Sequence, residues 1–259
     1  MLAYEAFGLP SSPPVVFLHG FPLNHHIWHQ QSSLDDTYRL IFPDLPGFGA
    51  SALERPPSRV TIDWMAEQVR DLLDALGITE TVMIGHSMGG YVTLAFAEKY
   101  PERLAAIGMV CSHARADTEE VRERRMRQIE QVRKEGVKPL ADAMREVLFA
   151  PDVVEHMPEL VDWVYSLMLE ASPRAVIGAL YAMARRPDRL SVLAGWEKPL
   201  LCIAGMEDRI VPRERQIEMA EAARNSTLIF VPEAGHMAML EQPEAVNDAL
   251  RDFLDDVYG

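Results

Sequence analysis

The chain has 259 residues, 48% hydrophobic and 25% charged, with a formal net charge of -14. A chain of this length and composition is globular, with enough apolar surface to bury a core and enclose a pocket. The acidic balance excludes nucleic acid, whose phosphates need a basic field, and docking on anionic membranes.

The opening "MLAYEAFGLPSSPP" has no charged n-region leading into an apolar stretch, so no signal peptide is expected. "VVFLH", from Val15 to His19, is a short continuous apolar run after a Pro-Pro pair and reads as a strand buried on both faces. "YRLIFPD", ending at Asp44, reads as a second strand. Thr61 to Leu76 carries one apolar face (Ile62, Met65, Val69, Leu72, Leu73) and stops at Gly77, which predicts a helix. "TVMIG" predicts a third strand, Tyr91 to Tyr100 the body of a helix closed by Pro101, and "LAAIGMVC" a fourth strand. Strands separated by helices imply parallel pairing and right-handed crossovers in an α/β sheet.

From about residue 113 to 189 the alternation stops. A charged stretch from Asp117 to Glu135 precedes "KPLADAMREVLF", "MPELVDWVYSLMLE" and "SPRAVIGALYAMARR". Pro158 and Pro173 suit first-turn positions, and Ser172 suits an N-cap. These predict about four helices inserted between two strands. The division that follows is a core of residues 1–112 and 190–259 and a helical cap of residues 113–189. Alternation resumes with "PLLCIAG", a helix near Arg213 to Ala223, the strand "TLIFVP" and a last helix from Pro243 to Val257. The two cysteines, Cys111 and Cys202, sit in strand-like apolar runs without metal spacing. They read as buried free thiols in a reducing, cytoplasmic setting. No apolar run is long enough to span a bilayer.

"GHSMGG" contains G-x-S-x-G between a predicted strand and a predicted helix. In that context the serine sits on a sharp, strained turn, and the glycines on either side allow close approach. Ser87 is therefore the candidate nucleophile, and the amide after it, that of Met88, a candidate oxyanion donor. A serine needs a base at neutral pH. His236, in the loop after the last predicted strand, stands at the carboxyl edge of the sheet, where α/β sites form. Asp208, after the penultimate strand, is the candidate orienting acid, with Glu207 its adjacent competitor.

With these residues in place, the chain resembles α/β-hydrolases of the carboxylesterase, 3-oxoadipate enol-lactonase and cofactor-free perhydrolase group. The matching pieces are "HGFP", "PDLPGFGAS", "GHSMGGYV", "GMEDRIVP" and "AGHMAMLEQPE". They span nearly the whole chain outside the helical insertion. The resemblance implies an α/β-hydrolase fold with a mostly parallel, doubly wound sheet and an inserted cap. It also implies a second oxyanion donor in the amide of Phe21, after His-Gly. Pro22, the next residue, is a candidate cis proline. The family opens with a longer hairpin than the few residues before "LPSSPP", so the first strand is expected to be short or absent.

His19, His25, His26 and His29 are half of the chain's eight histidines. His25 and His29 lack an acidic partner of the H-E-x-x-H type, and triad chemistry needs no metal, so neither metal nor cofactor is expected. His19 reads as packing beneath the oxyanion loop. His25, His26 and His29 read as lying on the helix after it, with Trp28 as its core anchor. His86 reads as a packing and hydrogen-bonding residue. Met88, Met206 and Met237, near the three active elements, suggest a lipophilic pocket, with Trp163, Tyr165, Tyr181 and Met237 as its lining.

The function these readings imply is hydrolysis of small to medium carboxylic esters or lactones through an acyl-enzyme. The alternatives are peroxide-dependent chemistry with the same triad and a non-catalytic ligand-binding protein. The partner expected is a small-molecule ester; the sequence does not decide between monomer and homodimer.

Overall fold

The computed structural model of the protein describes residues 1–259. Seven strands form one sheet in the order β1-β3-β2-β4-β5-β6-β7. They are β1 (Tyr4–Phe7), β2 (Pro14–Leu18), β3 (Arg39–Pro43), β4 (Thr81–His86), β5 (Leu104–Val110), β6 (Leu200–Gly205) and β7 (Ser226–Val231). β1 is the short first strand and pairs antiparallel with β3; the other pairs are parallel. β3 lies on one side of β2 and β4 on the other. The winding thus reverses at β2, and a crevice opens outside the carboxyl ends of β2 and β4.

The strands are apolar throughout because both sheet faces are covered. Alternate residues of β2 feed separate cores: Val16 and Leu18 one, Val15 and Phe17 the other. The first core is filled by α1 (Ile62–Ala75) and α2 (Met88–Lys99), with α7 (Pro173–Arg185) beside them; the second by α11 (Pro243–Tyr258) and a 3-10 helix, His25–Leu34. Thr61 caps α1 by accepting the Trp64 N–H. Trp28, on the 3-10 helix, is fully buried against Phe17, with ring centroids 5.1 Å apart.

Between β5 and β6 stand α3 (Glu119–Glu135), α4 (Lys138–Met144), α5 (Pro151–His156), α6 (Pro158–Glu170), α7 and the short α8 (Leu190–Ala194). The count of about four is corrected to five before α8. The extra helix, α5, has six residues, too few to show a period; Pro151 at its first turn was its sequence signal. α9 (Arg213–Ala222) and α10 (Ala238–Glu241) complete the chain. No helix is long and apolar enough to cross a membrane.

Packing is close where β4 turns into α2. A Cβ on Gly89 would stand 2.2 Å from the Leu18 carbonyl oxygen of β2, and one on Gly85 2.5 Å from the Gly89 backbone. Backbone cannot move aside as a flexible side chain can. Gly89→Ala is therefore expected to lower stability by roughly 3 kcal/mol. The check is the urea midpoint; an unshifted midpoint would show that the helix can retreat from the sheet without loss.

Candidate active site

Ser87 occupies the turn between β4 and α2 with φ 51° and ψ -113°. A side chain in that region costs on the order of 1–3 kcal/mol and persists only where its surroundings hold it. Here the Ser87 N–H donates to the Val110 carbonyl at 3.0 Å, and the Ser112 hydroxyl donates to the Ser87 carbonyl at 2.8 Å. Both anchors come from the end of β5 and the residues just after it. The elbow is thus fixed by the neighbouring strand and lifts Ser87 into the crevice.

His236 lies in the loop after β7. Its Nδ1 bonds Asp208 Oδ2 at 2.9 Å. Asp208 Oδ1 accepts the N–H groups of Ile210 and Val211 at 2.8 and 3.0 Å. Burial works to raise the Asp208 carboxyl, but the His236 ring and the two amides hold it below the usual carboxylate range. The charged acceptor fixes Nδ1 as the protonated nitrogen, leaving Nε2 as the basic one. Glu207, the competitor, is exposed. Ser87 and His236 line one cavity.

Two further residues, outside the predicted set, hold the His236 loop. Glu241, almost wholly buried on α10, accepts the N–H groups of Gly235, Met237 and Ala150 at 3.0, 3.0 and 2.7 Å. Burial pushes its carboxyl up to about 7, against the three amides, which favour the anion. Its sequence signal was a lone charge in the apolar run "GHMAMLEQ". Leu148, from the segment after α4, accepts the His236 N–H through its carbonyl at 2.9 Å. His86, as read, is a buried hydrogen-bonding residue: its Nε2 donates to the His236 carbonyl at 2.9 Å. Burial, reinforced by the neighbouring His236 ring, lowers it to about 3, so the His86 ring is neutral.

One candidate oxyanion position is set by a peptide plane. The His19 Nδ1–H donates to the Gly20 carbonyl at 2.9 Å, and the Leu23 N–H donates to the same oxygen at 3.1 Å. His19 is locked in that tautomer because its Nε2 accepts the Leu45 N–H at 2.9 Å. Burial lowers it to about 4. In a trans peptide C=O and N–H point in opposite directions. Holding the Gly20 carbonyl therefore turns the Phe21 N–H away from His19, and Phe21 lines the cavity. Met88 is the first residue of α2, where an N–H has no partner within its helix. The following bond, Phe21–Pro22, is cis.

The cavity holds about 520 Å³. Half of its lining is apolar, with Met144, Leu148 and Met183 among that half. The lipophilic expectation needs correction, because Arg124, Arg125, Arg209 and Arg215 line it against a single carboxylate, Asp117. Arg125 pairs with Asp117 at 2.6 Å, and Arg215 with Glu218 at 3.1 Å. Arg209 is bound to the Glu146 and Phe149 carbonyls rather than to a carboxylate, and Arg124 forms no ion pair. Asp117 also takes the buried Arg186 at 2.6 Å, whose guanidinium lies 3.9 Å from the Tyr91 ring centroid. This network joins α3 and α7 above the elbow.

The predicted lining residues fall elsewhere. Trp163 is exposed, because α6 turns Val161, Val164, Leu167 and Met168 inward. The Tyr165 hydroxyl donates to Asp142 at 2.6 Å and the Tyr181 hydroxyl accepts from Arg133 at 2.9 Å, both on the outer side. Met237 is buried in the core under the His236 loop, and Met206 is exposed. None of them lines this cavity.

A family model described as the alpha/beta hydrolase fold matches residues 13–243. The chain belongs to the α/β-hydrolase family. Hydrolysis is the general chemistry that this membership supports. A curated 3-oxoadipate enol-lactonase of Acinetobacter baylyi is 30% identical over 255 residues, covering 96% of this chain and 91% of that protein. The structure of a thermophilic esterase from Thermogutta terrifontis, with malate bound, is 38% identical with a TM-score of 0.95, covering 100% of this chain and 94% of that one. An enol-lactonase from Burkholderia xenovorans, 24% identical with a TM-score of 0.91, covers 98% of this chain and 96% of its own and shares the fold.

Within this hydrolase, Glu241→Gln puts an amide N–H₂ among three backbone donors. The expected outcome is a loss of about 2–3 kcal/mol in stability and a fall in turnover as the His236 loop loosens. Urea unfolding beside ester turnover checks both, and full retention of each would show that the cradle is dispensable.

Proposed function

We propose that the protein is a serine hydrolase of carboxylic esters or lactones carrying an acidic group. The observation that carries this reading is the meeting, on one cavity wall, of Ser87 on its strained elbow and His236 held by Asp208. Ser87 Oγ attacks the carbonyl carbon while His236 Nε2 takes the hydroxyl proton. The negative oxygen of the tetrahedral intermediate sits on the Phe21 and Met88 N–H groups, each worth roughly 3–4 kcal/mol in such a site. His236 then protonates the leaving alkoxide, or the ring oxygen of a lactone. Water, deprotonated by His236, cleaves the acyl-enzyme and restores Ser87.

The acidic group follows from the cavity charge. Arg124 and Arg209 offer cations without carboxylate partners, and a substrate carboxylate would complete them. The similar Thermogutta terrifontis esterase, seen with the dicarboxylate malate, and the 3-oxoadipate enol-lactonase relative are in keeping with this. The helices of residues 113–189 act as the cap that carries Arg124 and closes the cavity. No metal or cofactor takes part, and the protein works in the cytoplasm.

Ser87→Ala is expected to cut p-nitrophenyl ester hydrolysis by about 10⁴-fold or more and to abolish labelling by a fluorophosphonate probe. Retained turnover would remove Ser87 from the mechanism, whereas an unlabelled wild-type Ser87 would favour ligand binding over catalysis.

Arg124→Ala is expected to raise KM for a p-nitrophenyl ester with a terminal carboxylate about threefold to fivefold, leaving a neutral ester of equal length unchanged. Equal effects on both esters would remove the acidic-substrate preference.

A further inference from the structure

We propose that Glu5, His25, His26 and His29 form a binding site for one divalent transition-metal ion of the zinc type. None of the four lines the substrate cavity. One ligand atom from each lies within 4.8 Å of every other. The four come from two elements: Glu5 from β1, and the histidines from the first turns of the 3-10 helix.

The helix type matters. With three residues per turn, side chains at i and i+3 eclipse one another. His26 and His29 therefore stand one above the other, with ring centroids 4.7 Å apart, and His25 stacks beside His26 at 4.2 Å. The distance along the chain to Glu5 hid the full cluster from a reading of the sequence.

His25 is the decisive member. It is 8% exposed, and its Nδ1 bonds the buried Asp44 at 2.7 Å. That bond fixes the proton on Nδ1 and leaves Nε2 as an acceptor. Nε2 is shielded from solvent, has no hydrogen-bond partner and points into the cluster, 3.5 Å from Glu5 Oε1. A carboxylate behind a histidine is the arrangement that orients metal-binding imidazoles and raises their basicity. Asn24 acts likewise on His26, with its Oδ1 3.1 Å from Nδ1, leaving Nε2 for the ion. His29 Nε2 already lies 3.0 Å from Glu5 Oε2.

Three imidazoles and one carboxylate suit zinc, with cobalt, nickel and copper as substitutes. Ligands about 2 Å from a tetrahedral ion stand about 3.3 Å apart. Glu5, His26 and His29 all reach solvent and can close in on the fixed His25 ring. A bound ion would fasten the edge strand β1 to the 3-10 helix and stabilise the folded state by mass action.

The test uses the untagged full chain, with Zn²⁺ followed by calorimetry and Co²⁺ by visible absorption. The expected result is one ion per chain, a tetrahedral Co²⁺ spectrum and a rise in Tm with Zn²⁺. His26→Gln/His29→Gln is expected to lose at least about 100-fold in affinity while keeping its metal-free Tm and ester turnover, and Ser87→Ala is expected to bind Zn²⁺ as wild type does. If the wild type takes up no Zn²⁺ at micromolar concentration, the four residues are an ion-pair cluster and the proposal fails. It fails equally if the double variant, folded by its metal-free Tm, still binds one ion, since the ion then sits elsewhere.

Discussion

The structure turns on how closely α2 approaches the sheet. Gly89 rests against the Leu18 carbonyl and Gly85 against Gly89, with no room for a Cβ at either. That contact forces β4 to end abruptly, and Ser87 takes the left-handed backbone that the reversal demands. The strain is local, but what resists it is not. Hydrogen bonds from the end of β5 hold both sides of the Ser87 peptide. The same approach sets the first N–H of α2 beside β2, whose following loop supplies the Phe21 amide. One packing constraint thus brings the candidate nucleophile and both candidate oxyanion donors together, because all three are backbone-determined positions.

The histidines around this elbow divide by environment. His19 and His86 are buried and neutral, and each uses its ring to hold a carbonyl: His19 that of Gly20, His86 that of His236. His236 differs in having a buried carboxylate on one nitrogen and the cavity on the other side. A base must be oriented and still able to take a proton. Here orientation comes from Asp208 on the ring and from Glu241, His86 and Leu148 on the backbone. The His236 loop has no regular hydrogen-bond ladder of its own, so its precision is borrowed from these four contacts.

How much of this the sequence shows depends on whether a feature is local. The strand runs, α1 and the Gly-x-Ser-x-Gly turn are fixed by neighbours within a few residues, and they are legible. Ser87, Asp208 and His236 are legible as candidates through their places after β4, β6 and β7, because strand ends converge in this topology. The lining of the cavity is not. Trp163 sits on a helix whose apolar face is broad, and only packing decides which side turns inward. Glu241 reads as a stray charge until the loop folds over it, and α5 is too short to leave a period. The histidine cluster needed a partner from β1, which spacing does not reveal.

The cavity's charge runs against that of the whole molecule. A net charge of -14 repels acidic solutes at long range, with screening over about 8 Å at physiological salt. An anionic substrate, as proposed, would therefore not be steered in by the overall field; attraction would have to come from cations close to where it sits. The arginines of the cavity have that position, and two of the four are already occupied by carboxylates. Asp117 in particular absorbs Arg125 and Arg186 together, joining α3 to α7 instead of facing a substrate. What remains for a ligand is the pair Arg124 and Arg209, one on α3 and one in the loop after Asp208. On the proposed function, a substrate carboxylate at Arg124 would touch the inserted helices, and one at Arg209 the sheet-bearing part of the chain. On that reading, the group that selects the substrate would then also bear on the position of the inserted helices.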